Sequence, residues 1–207
     1  MELIKVGGSV FKELSNLIQS LRSLKKDIII VPGGWIFADL VRELDKKYGL
    51  KEKISHWMAI ACMDVYAYFI ANFGANAVVP NNFSDLKSLR GINVILTHNL
   101  LRGDEEFNDL PYSWEVTSDS ISVWLSYKLR LRRTVKVTDV DGVFIDGKLV
   151  KAIKASELLK LNVETCVDKF APRLLKDFGI DMFVCNAKEV KNYILKGKAK
   201  GTLIKGE

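Results

Sequence analysis

The sequence predicts an α/β protein, a three-layer α/β/α sandwich on a mainly parallel, twisted sheet, as one domain over residues 1–207. Three observations carry that expectation. Short β-rich runs recur along the chain, helical apolar spacing fills the stretches between them, and the runs are continuously apolar rather than alternating. Continuous apolar strands are those covered by helices on both faces. With 48% hydrophobic residues and no long linker, 207 residues suffice for one sizeable core.

The elements follow in order. Residues 3–6 read as a first strand, and Leu14, Leu17, Ile18, Leu21 and Leu24 form the apolar stripe of a helix. Residues 28–31 give a second strand, followed by Ile36, Leu40 and Leu44 at helical spacing and a longer helical pattern over about residues 53–73. Further strands are expected at 77–79 and 92–97. Residues 98–117, with Gly103, Pro111 and a run of acids, read as a loop or lid. A helix over about 119–131 leads to a strand at 135–138, and Asp146-Gly147 between two short apolar runs predicts a two-residue hairpin turn. A helix over about 169–178 and a strand at 182–185 complete the pattern. Strand, helix, strand in repetition implies a mainly parallel, twisted sheet with helices on both faces.

Charge and cysteine usage narrow the function classes. Thirty-one Lys plus Arg against 25 Asp plus Glu give a formal +6, but the basic residues are interspersed with acids, which favours anionic small ligands over a nucleic-acid surface. The basic runs 128–133 and 196–200 read as solvated helix ends or as contacts for phosphate. Three cysteines, odd in number and without a CxxC, make neither a disulfide framework nor a zinc cluster. His56 and His98 are the only histidines and do not suggest a metal site, so no protein metal ligands are expected. No run of 18 apolar residues and no secretory leader is visible, so no membrane association is expected and the cytoplasm is the expected compartment.

In parallel sheets ligands bind beyond the carboxyl ends of the strands, so the residues there carry the chemistry. After the first strand comes "KVGGS", in which Gly7 and Gly8 would let the backbone approach an anion and Ser9 would cap the next helix. The pattern is neither a P-loop nor a dinucleotide fingerprint, and a double glycine also serves a plain tight turn. Lys5 would project across the same loop. The second strand ends alike in "VPGGW", with Gly33 and Gly34 opening a helix. If the two strands are neighbours, two glycine-lined helix starts face one cleft, which suits an enzyme moving a charged group between charged substrates.

The third marker, "KVTDVDGVF", brings Thr138, Asp139, Asp141 and Gly142 to a strand end. It resembles the nucleophile motif of haloacid dehalogenase-like phosphatases, and equally the nucleotide segment of the amino acid kinase family. Only residues 142–207 follow Asp141, without a GDxxxD pattern for the phosphatase's metal-binding acids, so position favours the second. "IKVGGS", "VPGG", "VTSDSIS", "VTDVDGV" and "KGTLI" occur in the order in which the amino acid kinase family carries similar segments, over essentially the whole chain.

That resemblance implies an ATP-dependent phosphotransferase with the acceptor mainly on the N-terminal half and the nucleotide on the C-terminal half. It implies that Lys5 holds the β and γ phosphates with amides of Gly7, Gly8 and Ser9, that Asp119 orients Lys5, and that Lys169 is a second cation at the transition state. The GGM that relatives carry before that lysine is here Glu164-Thr165-Cys166. Thr138, Asp139, Asp141 and Gly142 would line the adenosine side, with Gly201 and Thr202 at its edge. Mg²⁺ would ride on the nucleotide phosphates. Gly33, Gly34, Asp39 and Asp64 are the acceptor-side candidates, for a phosphate monoester that would become a diphosphate. UMP, isopentenyl phosphate and acidic amino acids are alternative acceptors within the family, and a non-catalytic nucleotide-binding regulator is a third class. Relatives associate, so a homo-oligomer is expected.

Overall fold

A computed structural model describes residues 1–108, 110–161 and 163–207; residue 109, inside the segment expected as a loop or lid, lies outside the described residues. The strands are β1 (Glu2–Val6), β2 (Ile28–Pro32), β3 (Asn76–Val78), β4 (Ile92–Ile95), β5 (Arg133–Thr138), β6 (Phe144–Ile145), β7 (Lys148–Leu149), β8 (Ala152–Lys154), β9 (Asp181–Asn186) and β10 (Thr202–Lys205). The helices are α1 (Leu14–Arg22), α2 (Trp35–Tyr48), α3 (Glu52–Ala71), α4 (Phe83–Ser88), α5 (His98–Arg102), α6 (Glu105–Asn108), α7 (Ser118–Lys128), α8 (Ala155–Leu161), α9 (Ala171–Phe178) and α10 (Val190–Lys196).

Eight strands form one sheet in the order β3-β4-β2-β1-β5-β9-β10-β8. The first six are mutually parallel, β10 runs antiparallel to β9, and β8 is parallel to β10. Side-chain alternation along each buried strand divides the core into two layers. Leu3, Ile29 and Val31 join the layer of α7, α8 and α9, whereas Ile4, Val6, Ile28 and Ile30 join that of α1 and α10. This is the expected α/β/α sandwich. The hairpin is present as β6–β7, with Asp146 and Gly147 at φ 49° and 74°, the positive pair that a type I′ turn requires.

Three expectations need correction. The segment 98–117 is partly helical, forming α5 and α6, because Leu100, Leu101 and Phe107 find buried places in the core. The short strands β8 and β10 were not anticipated: three and four residues give too little periodicity to read, and the sheet itself supplies their pairing. Finally, Ser9 does not cap a helix. The chain enters a 3-10 turn over Gly8–Glu13 with Gly7 at its N-cap, and no side chain caps it.

α3 is the one described helix long and apolar enough to cross a membrane by length and composition. In the fold it packs on β2, β4 and α2 and buries Tyr66, Ala67 and Ile70 in the core.

Candidate active site

β1 and β2 are hydrogen-bonded neighbours, so both glycine loops leave the same sheet edge. Gly33 donates its amide to the Val6 carbonyl (2.8 Å), and a Cβ on Gly33 would sit 3.1 Å from the Gly8 nitrogen. A Cβ on Gly8 would lie 2.6 Å from Trp35 Cα. The loops therefore cross at backbone distance, which only glycines permit. Trp35 opens α2 at φ 49°, a left-handed conformation unusual for a bulky residue. Rings of Phe11, Phe37, Tyr66 and Phe69 surround it at centroid distances of 4.8–5.6 Å and hold it there. The Tyr66 hydroxyl donates to the Gly7 carbonyl (3.3 Å), tying α3 to the first loop.

Below the crossing lies a buried ionic cluster. Lys5 and Lys136 are register partners on β1 and β5, and both reach towards the start of α7. Asp119 stands between them: its Oδ1 is 2.9 Å from Lys5 Nζ, and its Oδ2 accepts from Lys136 Nζ and from the Asp168 amide (3.0 Å). Lys5, Lys136 and Asp119 are 6%, 3% and 3% exposed. Two like charges facing each other across strands repel, so the carboxylate between them is what makes the pair tolerable. Burial alone would raise the Asp119 pKa, but the two ammonium groups outweigh it and hold the carboxyl well below the usual carboxylate range. Burial, opposed by Asp119, leaves the Lys5 ammonium below its usual value, while for Lys136 the bond to Asp119 overcomes burial and raises it.

Asp168 braces this cluster. Its carboxylate accepts from the Thr117 amide and hydroxyl (3.0 and 2.7 Å), the Ser120 amide and hydroxyl (2.9 and 2.6 Å) and the Ala171 amide (2.7 Å). It therefore caps α7 and α9 at once. α7 is buried from Ser118 to Ser126, and two of its serines bond within the helix: Ser122 donates to the Asp119 carbonyl (2.7 Å) and Ser126 to that of Ser122 (2.9 Å).

The cleft over Lys5 is a cavity of about 500 Å³, within the range of small-molecule sites. Gly8, Ser9, Gly33, Gly34 and Lys5 form its floor. Its walls are largely apolar, with Trp35, Ile60, Met63 and Trp114, and its polar groups include Asp39, Arg42, His56 and Ser118. The Arg42 guanidinium lies 4.7 Å over the Trp114 ring and pairs with Asp39 (3.0 Å), while Trp114 donates its indole N–H to Asp45 (2.6 Å). Burial pushes the His56 imidazole below its usual pKa, so at neutral pH it is an uncharged wall.

The remaining candidates divide between this cleft and structural duties. The Gly7 amide is committed to the Val137 carbonyl (2.9 Å), which leaves Gly8 and Ser9 as the loop's available donors. The Ser9 hydroxyl lies 3.5 Å from that of Thr138, which donates to Asp139 (3.1 Å). Asp141 accepts from Asn186 (2.5 Å) and pairs with Lys200 (2.6 Å) at the surface. The Thr202 hydroxyl donates to the Val150 carbonyl (2.5 Å) and accepts from the Val143 amide (2.8 Å), pinning the loop after β5. A Cβ at Gly142 would meet that hydroxyl at 2.5 Å, and one at Gly201 would meet the Val184 carbonyl at 2.6 Å. Asp64 stands outside the cavity lining and accepts from the Thr97 and His98 amides (2.6 and 3.2 Å), capping α5. Lys169 is exposed in the bend before α9, outside the ionic cluster. No local sequence signal marks Lys136, an ordinary alternating strand residue in "VKVTDV", or Asp168, the direct neighbour of Lys169.

The profile of the amino acid kinase family matches residues 1–186. The chain belongs to the amino acid kinase family. Among its relatives, the [5-(aminomethyl)furan-3-yl]methyl phosphate kinase of Methanocaldococcus jannaschii is 33% identical over 96% of this chain and 94% of its own length. The acetylglutamate kinase of Bacillus cytotoxicus is 25% identical over 77% of this chain and 76% of its own. Similar folds are the uridylate kinase of Archaeoglobus fulgidus (TM-score 0.74, 19% identity, 99% of this chain and 100% of that one) and the UMP kinase of Bacillus anthracis (TM-score 0.74, 19% identity, 99% and 95%). Within this amino acid kinase family frame the protein is a phosphotransferase of the kinase type, with ATP as the phosphoryl donor.

Proposed function

We propose that this protein transfers the γ-phosphoryl group of ATP to [5-(aminomethyl)furan-3-yl]methyl phosphate, giving the diphosphate, a step of methanofuran biosynthesis. The observation that carries the reading is the position of Lys5, at the crossing of two glycine loops and in the floor of a 500 Å³ cavity walled by aromatic side chains. The relative of the same substrate name covers nearly all of both chains.

Phosphoryl transfer needs little covalent help from a protein. Its transition state spreads negative charge over the transferred group, so fixed cations and amides aimed at that group do the catalytic work. Lys5, held by Asp119, would bind the β and γ phosphates beside the Gly8 and Ser9 amides. Thr138, Asp139, Asp141 and Gly142 would line the adenosine side, with Gly201 and Thr202 as its edge. Mg²⁺ would ride on the nucleotide phosphates, where it would supply charge neutralisation. On the acceptor side the Gly33 and Gly34 loop would take the phosphate, the aromatic walls the furan ring, and Asp39 the aminomethyl ammonium. The exposed Ile36, Leu40, Val65 and Tyr68 on α2 and α3 offer an apolar face for a homo-oligomer.

The test is direct. Purified protein with Mg-ATP and the aminomethylfuran phosphate should release ADP and form the diphosphate by mass spectrometry. ADP release with UMP or an acidic amino acid, and none with the furan phosphate, would reassign the acceptor.

A further inference from the structure

We propose that Lys136 and Asp168 act as a two-point clamp that sets the position of Asp119, and through it of Lys5, for phosphoryl transfer. This rests on the reading of Lys5 and Asp119 given above. The two oxygens of Asp119 have different duties. Oδ2 receives the Lys136 ammonium from β5 and the Asp168 amide from the loop before α9, two elements far apart in sequence. Oδ1 is left to face Lys5 at 2.9 Å. A carboxylate anchored at one oxygen from two directions cannot rotate, so the other oxygen presents a fixed negative charge to the lysine.

Asp168 adds rigidity at the next level. Its own carboxylate holds the Thr117 and Ser120 groups on either side of Asp119 and the first amide of α9. The peptide that donates to Asp119 is thereby fixed to the same helical turn that carries Asp119. Lys136 is 3% exposed and is not part of the cavity wall, whereas Lys5 is. Its effect therefore passes through Asp119, which makes it a positioning residue. The cation pair at the end of the sheet is thus built from neighbouring strands, while Lys169 stands outside it.

The experiment is a kinetic double-mutant cycle on ADP release. Misplacement of a reacting group by about 1 Å costs about 100-fold, so Lys136→Met should lower kcat by about that factor with KM for Mg-ATP nearly unchanged, and Lys136→Arg should recover part of it. Asp168→Asn, which keeps the backbone amide and the side-chain shape, should also lower kcat, and it carries the test if Lys136→Met does not fold. The combination Asp119→Asn with Lys136→Met should be no slower than Asp119→Asn alone, because both act through one carboxylate. Multiplying losses would mean that Lys136 contacts the phosphates on its own account and would overturn the clamp. Unchanged kcat in folded Lys136→Met, with a lower melting temperature, would reduce it to a structural role and overturn it as well. Turnover by Lys5→Ala equal to that of the unaltered protein would instead overturn the reading of the site on which the clamp stands.

Discussion

Two ionic sites of the fold are opposites. Lys5, Asp119 and Lys136 are sealed between the sheet and α7, with their partners fixed by strand register and helix caps. Asp141 and Lys200 pair just as closely, at 2.6 Å, but the lysine side chain is 60% exposed. Distance alone does not distinguish them. In the buried cluster each charge has lost its water and depends on its neighbours, so removing one strands the others. At the surface, water and salt replace a lost partner. The first arrangement can hold a cation in a fixed place for chemistry, and the second can move aside for a ligand.

The largest effect should come from Lys5→Ala. Loss of one fixed donor at a transition-state charge costs about 100- to 1,000-fold in kcat, read as ADP release per folded enzyme, whereas Lys200→Ala should leave kcat unchanged. Asp119→Ala tests the stability side of the same contrast. It leaves two buried ammonium groups without their counter-ion and should cost about 3–5 kcal/mol in urea unfolding.

The pH dependence has a definite sign. The folded Asp119 pKa is depressed, so its contribution is full above the unfolded value of about 3.9 and is lost as pH falls below it. Urea midpoints measured between pH 7 and pH 3 should fall less steeply for Asp119→Asn than for the unaltered protein. Gly8→Ala should come next: its Cβ would meet the Trp35 backbone, at about 1–3 kcal/mol of stability. A crystal structure should find one glycine loop displaced, and KM for both substrates should rise. Lys200→Ala should have the smallest effect, a few-fold rise in KM for ATP at low salt that disappears at high salt.

Much of the fold was legible because it rests on local signals. The six apolar runs became the six parallel strands, and Asp146-Gly147 became the hairpin turn because few residue pairs accept two positive φ angles. The glycine loops could be read because paired glycines stand out at strand ends, and the Asp119 segment because it resembles one that the amino acid kinase family carries. β8 and β10 were too short to leave a period, and Leu100, Leu101 and Phe107 gave a lid-like segment a helical, core-bound form that composition did not reveal.

Several side-chain duties were equally hidden. Asp64 on α3 and Asp168 in the loop before α9 are both acids for which sequence alone does not say what they accept from; one caps α5 and the other joins α7 to α9. Lys136 looked like any polar residue in a strand. By itself the sequence determined the alternation of strands and helices and marked the two glycine pairs and Lys5 at strand ends, because periodicity and backbone permissiveness are properties of neighbours along the chain. Only the tertiary structure decided that Lys136 faces Lys5 across β1 and β5, and that the Asp168 amide reaches Asp119. Those contacts depend on which distant segments the sheet and its helices bring together, and no local pattern encodes that.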